Sequence, residues 1–148
     1  MSFNIFFNSS DGAGDNFNKE FTFDFSFMED CEYELTFSFL SDNQIQANFT
    51  GTKQLFSIAV QNFPLKNNFN SNTLMRNSDT AIIGFVSKNV LIDNNTQYSS
   101  LTSNVPVRCM KPTNNSFFVK LLDIDGELLT AFEKYNLALN FKKVKQYI

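Results

Sequence analysis

The chain has 148 residues, a formal net charge of −3, 43% hydrophobic residues and only 18% charged ones, against the quarter or so that is usual. That length suits one domain with its own core, and 1–148 is read as a single domain. Histidine is absent, which excludes a Ser-His-Asp or Cys-His catalytic unit within the chain, so the protein is read as not an enzyme, with no catalytic, cofactor-binding or metal-binding residue.

Taken in order, Ser2–Asn8 reads as a first strand and 9–18, with Gly12 and Gly14, as a loop. Residues 19–28 place Phe21, Phe23, Phe25 and Phe27 on one side and Thr22, Asp24 and Ser26 on the other. Period 2 predicts a half-buried strand over that whole length. A polar turn at Glu29-Asp30 follows. Tyr33, Leu35, Phe37 and Phe39 then alternate with Glu32, Glu34, Thr36 and Ser38 in a second such strand. A short strand is expected at 45–50, ended by Gly51-Thr52-Lys53, and another at 54–61 with Phe56, Ile58 and Val60 on one face. The Asn-rich stretch 63–78 reads as the longest loop.

Residues 80–86 and 89–92 read as two strands, with Gly84 marking a bulge or a close backbone approach. The stretch 93–104 is a polar loop, 105–110 is extended around Pro106, and 117–123 is a strand. Residues 127–139 carry both periods. They divide into a helical turn or loop over 128–133 and a strand over 135–141, where Tyr135, Leu137, Leu139 and Phe141 alternate with Asn136, Ala138 and Asn140. The fold class that results is all-β: a single jelly-roll β-sandwich of about eight antiparallel strands. Long, unequal loops argue against an up-and-down barrel. The missing Cys…Trp…Cys core argues against an immunoglobulin domain.

The polar motifs read as structure. Asp123-Ile124-Asp125-Gly126-Glu127 opens like a calcium loop. Its glycine is fourth rather than sixth, however, and Lys134 occupies the twelfth place, so it is read as a tight turn. Glu32 and Glu34, with Asp24, read as a solvated acidic face or a polar subunit contact rather than a glycosidase pair. Gly12 and Gly14 are flanked by Asp11 and Asp15, which would repel a phosphate. The Phe stripes are interleaved with acids and hydroxyls instead of Lys and Arg, so they read as core and not as a base-stacking platform. Cys31 and Cys109 are expected to be reduced, buried thiols. Lys142, Lys143 and Lys145 form the one basic cluster and read as a solvated tail; nucleic acid is not an expected partner. The Asn-x-Ser/Thr matches at Asn8, Asn48, Asn94 and Asn114 read as chance in a chain with 20 Asn. No apolar run approaches the ~18 residues of a membrane span. The start, Met1-Ser2-Phe3-Asn4, does not read as a secretory signal.

One stretch carries a family likeness. Val105-Pro106-Val107 is followed by Phe118-Val119-Lys120-Leu121-Leu122-Asp123-Ile124-Asp125-Gly126-Glu127-Leu128 and then by Tyr135-Asn136-Leu137-Ala138-Leu139-Asn140-Phe141. This order of extended segment, apolar strand, Asp-x-Asp-Gly turn and final alternating strand resembles the penton and minor capsid proteins of virophages, polinton-like viruses and nucleocytoplasmic large DNA viruses. The likeness spans about a third of the chain. It departs from the "Leu-His-Phe"-like ending of many such proteins, with Leu139-Asn140-Phe141 in that place. It implies a virion structural protein made in the host cytoplasm, with no small-molecule substrate and no cofactor. It further implies two partners: the protein itself, as a pentamer, and a larger double jelly-roll major capsid protein. A vertex role is favoured over a minor one. The alternative reading is a carbohydrate- or receptor-binding β-sandwich, for which Phe63, Phe69 and Tyr98 are the candidate exposed aromatics.

Overall fold

The computed structural model describes residues 2–41, 55–66, 71, 79–90, 96–101, 104–129 and 134–144. Among these residues there is no α-helix, and a single 3-10 turn, Ser9–Asp11, follows the first strand. The strands are β1 (Ser2–Asn8), β2 (Ala13–Asp15), β3 (Asn18–Thr22), β4 (Glu32–Ser41), β5 (Leu55–Gln61), β6 (Leu65–Lys66), β7 (Thr80–Val90), β8 (Thr96–Ser100), β9 (Val107–Met110), β10 (Ser116–Leu122) and β11 (Tyr135–Lys143).

The pairing is that of a long hairpin rolled up. Of the eight main strands, the first pairs with the last (β1·β11), the second with the seventh (β3·β10), the third with the sixth (β4·β9) and the fourth with the fifth (β5·β7), all antiparallel. Rolling then brings β11 against β4 and β10 against β5. One half of the sheet therefore runs β1–β11–β4–β9 and the other β3–β10–β5–β7, and the whole curls into a half-barrel. This is the jelly-roll arrangement expected from the sequence.

The core lies between the halves. Strict alternation puts Tyr33, Leu35, Phe37 and Phe39 of β4 and Tyr135, Leu137, Leu139 and Phe141 of β11 inward, and all are buried. Phe56, Ile58 and Val60 of β5 meet them from the other half. Rings interlock across the gap. Phe7 of β1 packs on Phe21 of β3 at 5.2 Å and on Phe117 of β10 at 5.3 Å, and Phe39 of β4 packs on Phe56 of β5 at 5.5 Å.

Several expectations are corrected. The strand expected over 19–28 ends at Thr22. Beyond it the Phe23 N–H still reaches the Asn115 carbonyl at 2.7 Å. The Asp24 carboxylate then accepts the Ser26 N–H at 3.0 Å, an Asx turn that lifts the chain off the sheet. Phe25 remains buried, but Phe27 swings outward. The loops expected at 9–18 and 93–104 contain β2 and β8, and the 63–78 loop opens with β6. Their alternation is too short or too polar to register as period 2. The strands expected at 80–86 and 89–92 merge into β7, with 91–92 outside the described residues. Over 128–133, Leu128 bridges to Leu122 and the Leu129 N–H reaches the Leu121 carbonyl at 3.0 Å, so this part is extended and not helical; 130–133 and the strand expected at 45–50 lie outside the described residues.

Gly84 is both a bulge and a close approach. The β5–β7 register passes from Ile58↔Gly84 to Ala59↔Ile82, which leaves Ile83 as the extra residue. A Cβ on Gly84 would collide with the Phe37 ring and lie 2.8 Å from the Asn104 side chain. That amide spans β7, accepting the Phe85 N–H and donating to the Phe85 carbonyl, each at 2.9 Å. Gly84→Ala is therefore expected to cost about 1–3 kcal/mol through overpacking. Urea unfolding should show a lower midpoint at unchanged slope; an unchanged midpoint would mean that Phe37 and Asn104 yield freely.

Candidate interaction surface

Once the odd-numbered residues of β1 and β11 and their partners on β4 turn inward, the opposite residues form a continuous outer face. The register sets its rows: Ser2, Lys142, Glu34 and Arg108; then Asn4, Asn140 and Thr36; then Phe6, Ala138 and Ser38; then Asn8, Asn136 and Leu40.

One end of this face is ionic. Glu32 pairs with Lys66 at 3.1 Å and with Arg108 at 3.5 Å, and Arg108 also reaches Glu34 at 3.4 Å. Glu29 accepts a hydrogen bond from Lys143; that bond, and then the opposite charge, lower the carboxyl below its ordinary range and raise the ammonium. These pairs are half-exposed or exposed and open to solvent screening, so each contributes little. The acidic stripe read from the sequence is thus neutralised by basic side chains. Asp24 lies on the turn after β3 rather than beside the glutamates, its carboxyl lowered by hydrogen bonds from Ser26. Of the expected basic tail, Lys143 is paired, Lys142 is exposed and Lys145 lies outside the described residues.

The middle of the face is uncharged. Asn140 donates to Asn4 at 3.0 Å and accepts from the Thr36 hydroxyl at 3.5 Å; two rows away Asn8 donates to Asn136 at 3.0 Å. Between these rungs stands Phe6, with 78% of its surface exposed because its row neighbours Ala138 and Ser38 are small. The sequence contained the signal for it. Phe6-Phe7 breaks period 2, so one ring has to face outward.

The aromatics expected to be exposed are elsewhere. Phe63 is buried against Phe25, Phe117 and Phe141, and Tyr98 is buried against Phe56. Both sit in short polar-looking segments whose single ring is the residue that anchors the segment to the core. Phe69 lies outside the described residues. Among the described residues the exposed rings are Phe6, Phe27 and Phe85.

On the other half of the sheet, Leu55, Ser57, Ile82, Phe85, Asp123 and Ile124 line an open groove of about 470 Å³. The 123–127 segment forms the expected turn. Gly126 has φ +86, and the Asp123 carboxylate accepts the N–H groups of Asp125 at 2.9 Å and Glu127 at 3.0 Å. Among the described residues no three His, Cys, Asp or Glu side chains converge as a metal site, and no helix is long and apolar enough to cross a membrane. The chain matches no protein-family model, and no curated protein matches it.

The two thiols are free. Cys109 is buried, whereas Cys31 is half-exposed rather than buried as expected. Burial, helped by the Glu32 charge, pushes the Cys109 thiol up from 9.0 to about 12. Burial pushes the Tyr33 phenol, which donates to the Glu29 carbonyl at 2.9 Å, from 10.0 to about 12, and it also raises Tyr98 and Tyr135. In each case folding favours the protonated form. Above the unfolded values the folded chain retains protons that the unfolded chain releases, so stability falls as pH rises. Melting temperature should drop between pH 9.0 and about 12 relative to its value at neutral pH. A thermal series that stays flat across that window would contradict this burial. At mildly alkaline pH a small alkylating reagent should label Cys31, and Cys109 only after denaturant is added; mass spectrometry counts the adducts.

Proposed function

We propose that this protein is a structural component of the capsid of an icosahedral double-stranded DNA virus, a single jelly roll placed at the pentameric vertex in preference to a minor position between larger capsomers. The observation that carries this reading is the rolled strand order joined to an outer sheet face whose middle is uncharged and Asn-laddered, with Phe6 at its centre. The ladder holds polar side chains in fixed positions without unpaired charge, which suits contact with a neighbouring subunit. The likeness of 105–107, 118–128 and 135–141 to capsid proteins supports it from the sequence side. A jelly roll alone does not name a function. On this reading the protein acts by assembling, in the virion, with copies of itself and with a larger double jelly-roll coat protein.

The groove at Leu55, Ile82, Phe85 and Ile124 favours a second reading, a ligand-binding sandwich for a carbohydrate or a receptor. Native mass spectrometry over a range of concentrations separates the two. A closed ring of five copies is the expected result, because five heterologous contacts close on themselves. A monomer at every concentration that binds a glycan on an array would overturn the vertex reading and leave the second.

A further inference from the structure

A rolled sheet of this kind has four ends, and three of them are covered among the described residues. The end at β9 is extended by the two-residue β6, the end at β3 by the three-residue β2, and the end at β7 by β8, which crosses to β4. Very short terminal strands are one of the ways in which a sheet avoids pairing with another chain. The fourth end is β1. It has seven residues, regular pairing with β11 on one side and no described strand on the other. It contains no Lys, Arg, Asp, Glu or Pro and no bulge, so it lacks the usual devices that blunt an edge.

Which groups of β1 face outward follows from the pairing. The Phe39 N–H points away from β11, to Ser100 Oγ at 3.4 Å; the Val144 N–H points toward β4, to the Glu32 carbonyl at 3.0 Å; the Tyr135 N–H points the opposite way, to Ser9 Oγ at 3.0 Å. Odd residues of β11 therefore bond toward β1, and their partners Phe3, Ile5 and Phe7 bond back. The backbone N–H and C=O groups of Asn4 and Phe6 are turned to the open edge. Two exposed rings flank that edge. Phe6 stands on the outer face, 78% exposed, while Phe27, 60% exposed, lies against Phe3 at 5.4 Å.

We infer that the β1 edge pairs with β1 of a second copy of this chain, antiparallel about a twofold axis through Ile5. Ser2-Phe3-Asn4-Ile5-Phe6-Phe7-Asn8 is close to palindromic in the property that matters. In this register Phe3 lies opposite the second copy's Phe7 and Ile5 opposite Ile5, so apolar meets apolar on the inner side. Asn4 lies opposite Phe6, which makes both of the outward-turned residues hydrogen-bonded pairs. The two Phe6 rings become diagonal neighbours on the outer face, within aromatic reach, and the incoming inner-side residues cover Phe27. Neither strand brings a charge that would repel its copy. A seven-residue pairing is small for an obligate interface, so the dimer is concentration-dependent. This inference is independent of the capsid reading. It is an isologous contact, whereas a vertex ring is heterologous, and native mass reads the two separately as multiples of two and of five.

The test is sedimentation velocity of the full chain over a concentration series, with three variants. Asn4→Pro removes one outward N–H and the side-chain bond from Asn140 while leaving the backbone bonds to β11. Phe6→Lys places a charge on the edge at an exposed position. Glu127→Lys, exposed on the turn after β10 in the other half of the sheet, is the control. The wild type and Glu127→Lys should show concentration-dependent twofold association, of single chains or of rings, and each edge variant should raise its dissociation constant by about tenfold or more. Far-UV circular dichroism of Phe6→Lys should match the wild type, which separates lost pairing from lost folding. A wild type without such association at its highest soluble concentration, or an association that keeps its affinity in both edge variants, would overturn the inference.

Discussion

The contact of phenylalanine rings between the two halves of the sheet is what the remainder of the structure depends on. A rolled hairpin fixes which strands are neighbours within each half, but it does not by itself fix how one half lies over the other. Phe7 against Phe21 and Phe117, Phe39 against Phe56, and Phe63 against Phe141 supply that registration. Each edge-on or tilted ring pair contributes about 0.5–1.5 kcal/mol beyond its buried area, and its angular preference restricts the sliding of one sheet over the other. With Trp absent and few Tyr, the core fills with rings that carry no polar atom to satisfy. The polar exceptions, Tyr33, Tyr98 and Tyr135, are also the groups whose protonated form the fold holds on to.

The surface follows a matching logic in which asparagine replaces charge. Asn4 with Asn140 and Asn8 with Asn136 tie strands together across the outer face. Asn62 adopts φ 63, donates to the Ser116 carbonyl at 2.8 Å and accepts from Asn114 at 3.0 Å, closing the turn after β5. Asn104 clips a loop to β7 through both of its amide atoms. An amide is donor and acceptor at once, so like residues can pair with like. A surface held by such pairs keeps its geometry whatever the salt concentration, and meeting a copy of itself brings no repulsion.

How much was legible in the sequence depends on how many residues voted. β4 and β11 alternate over ten and nine residues, and their inward and outward sets were readable over 32–39 and 135–141; at the end of β4 the exposed Leu40 and buried Ser41 run against polarity. Gly84 and Gly126 were readable because each position forbids a side chain for a definite reason, a close approach in one case and a positive φ in the other. What failed was short or context-dependent. Period 2 continues through Phe27, yet one Asx turn at Asp24 ends the strand five residues earlier. Tyr98 and Phe63 looked like ornaments of polar loops, because a lone ring among Asn and Ser carries no period. They are instead the anchors that hold those segments to the core. The outer face was foreseen as polar, but its basic partners Lys66 and Arg108 come from strands far away in sequence, and no local pattern could place them beside Glu32.

The roll also decides where the molecule is unfinished. When a hairpin rolls, its first and last strands pair, and one of them must become an end of the sheet. Here β11 is inserted between β1 and β4, so β1 takes that place. The other ends receive β2, β6 or β8, whereas no described strand lies beyond β1, and the loop at 23–27 covers its side with rings rather than with backbone donors. Side chains can shield apolar surface there, but they cannot satisfy the outward N–H and C=O groups of Asn4 and Phe6, which only water or another strand can do. An edge that is regular, uncharged and flanked by exposed rings is costly to leave open in a concentrated solution.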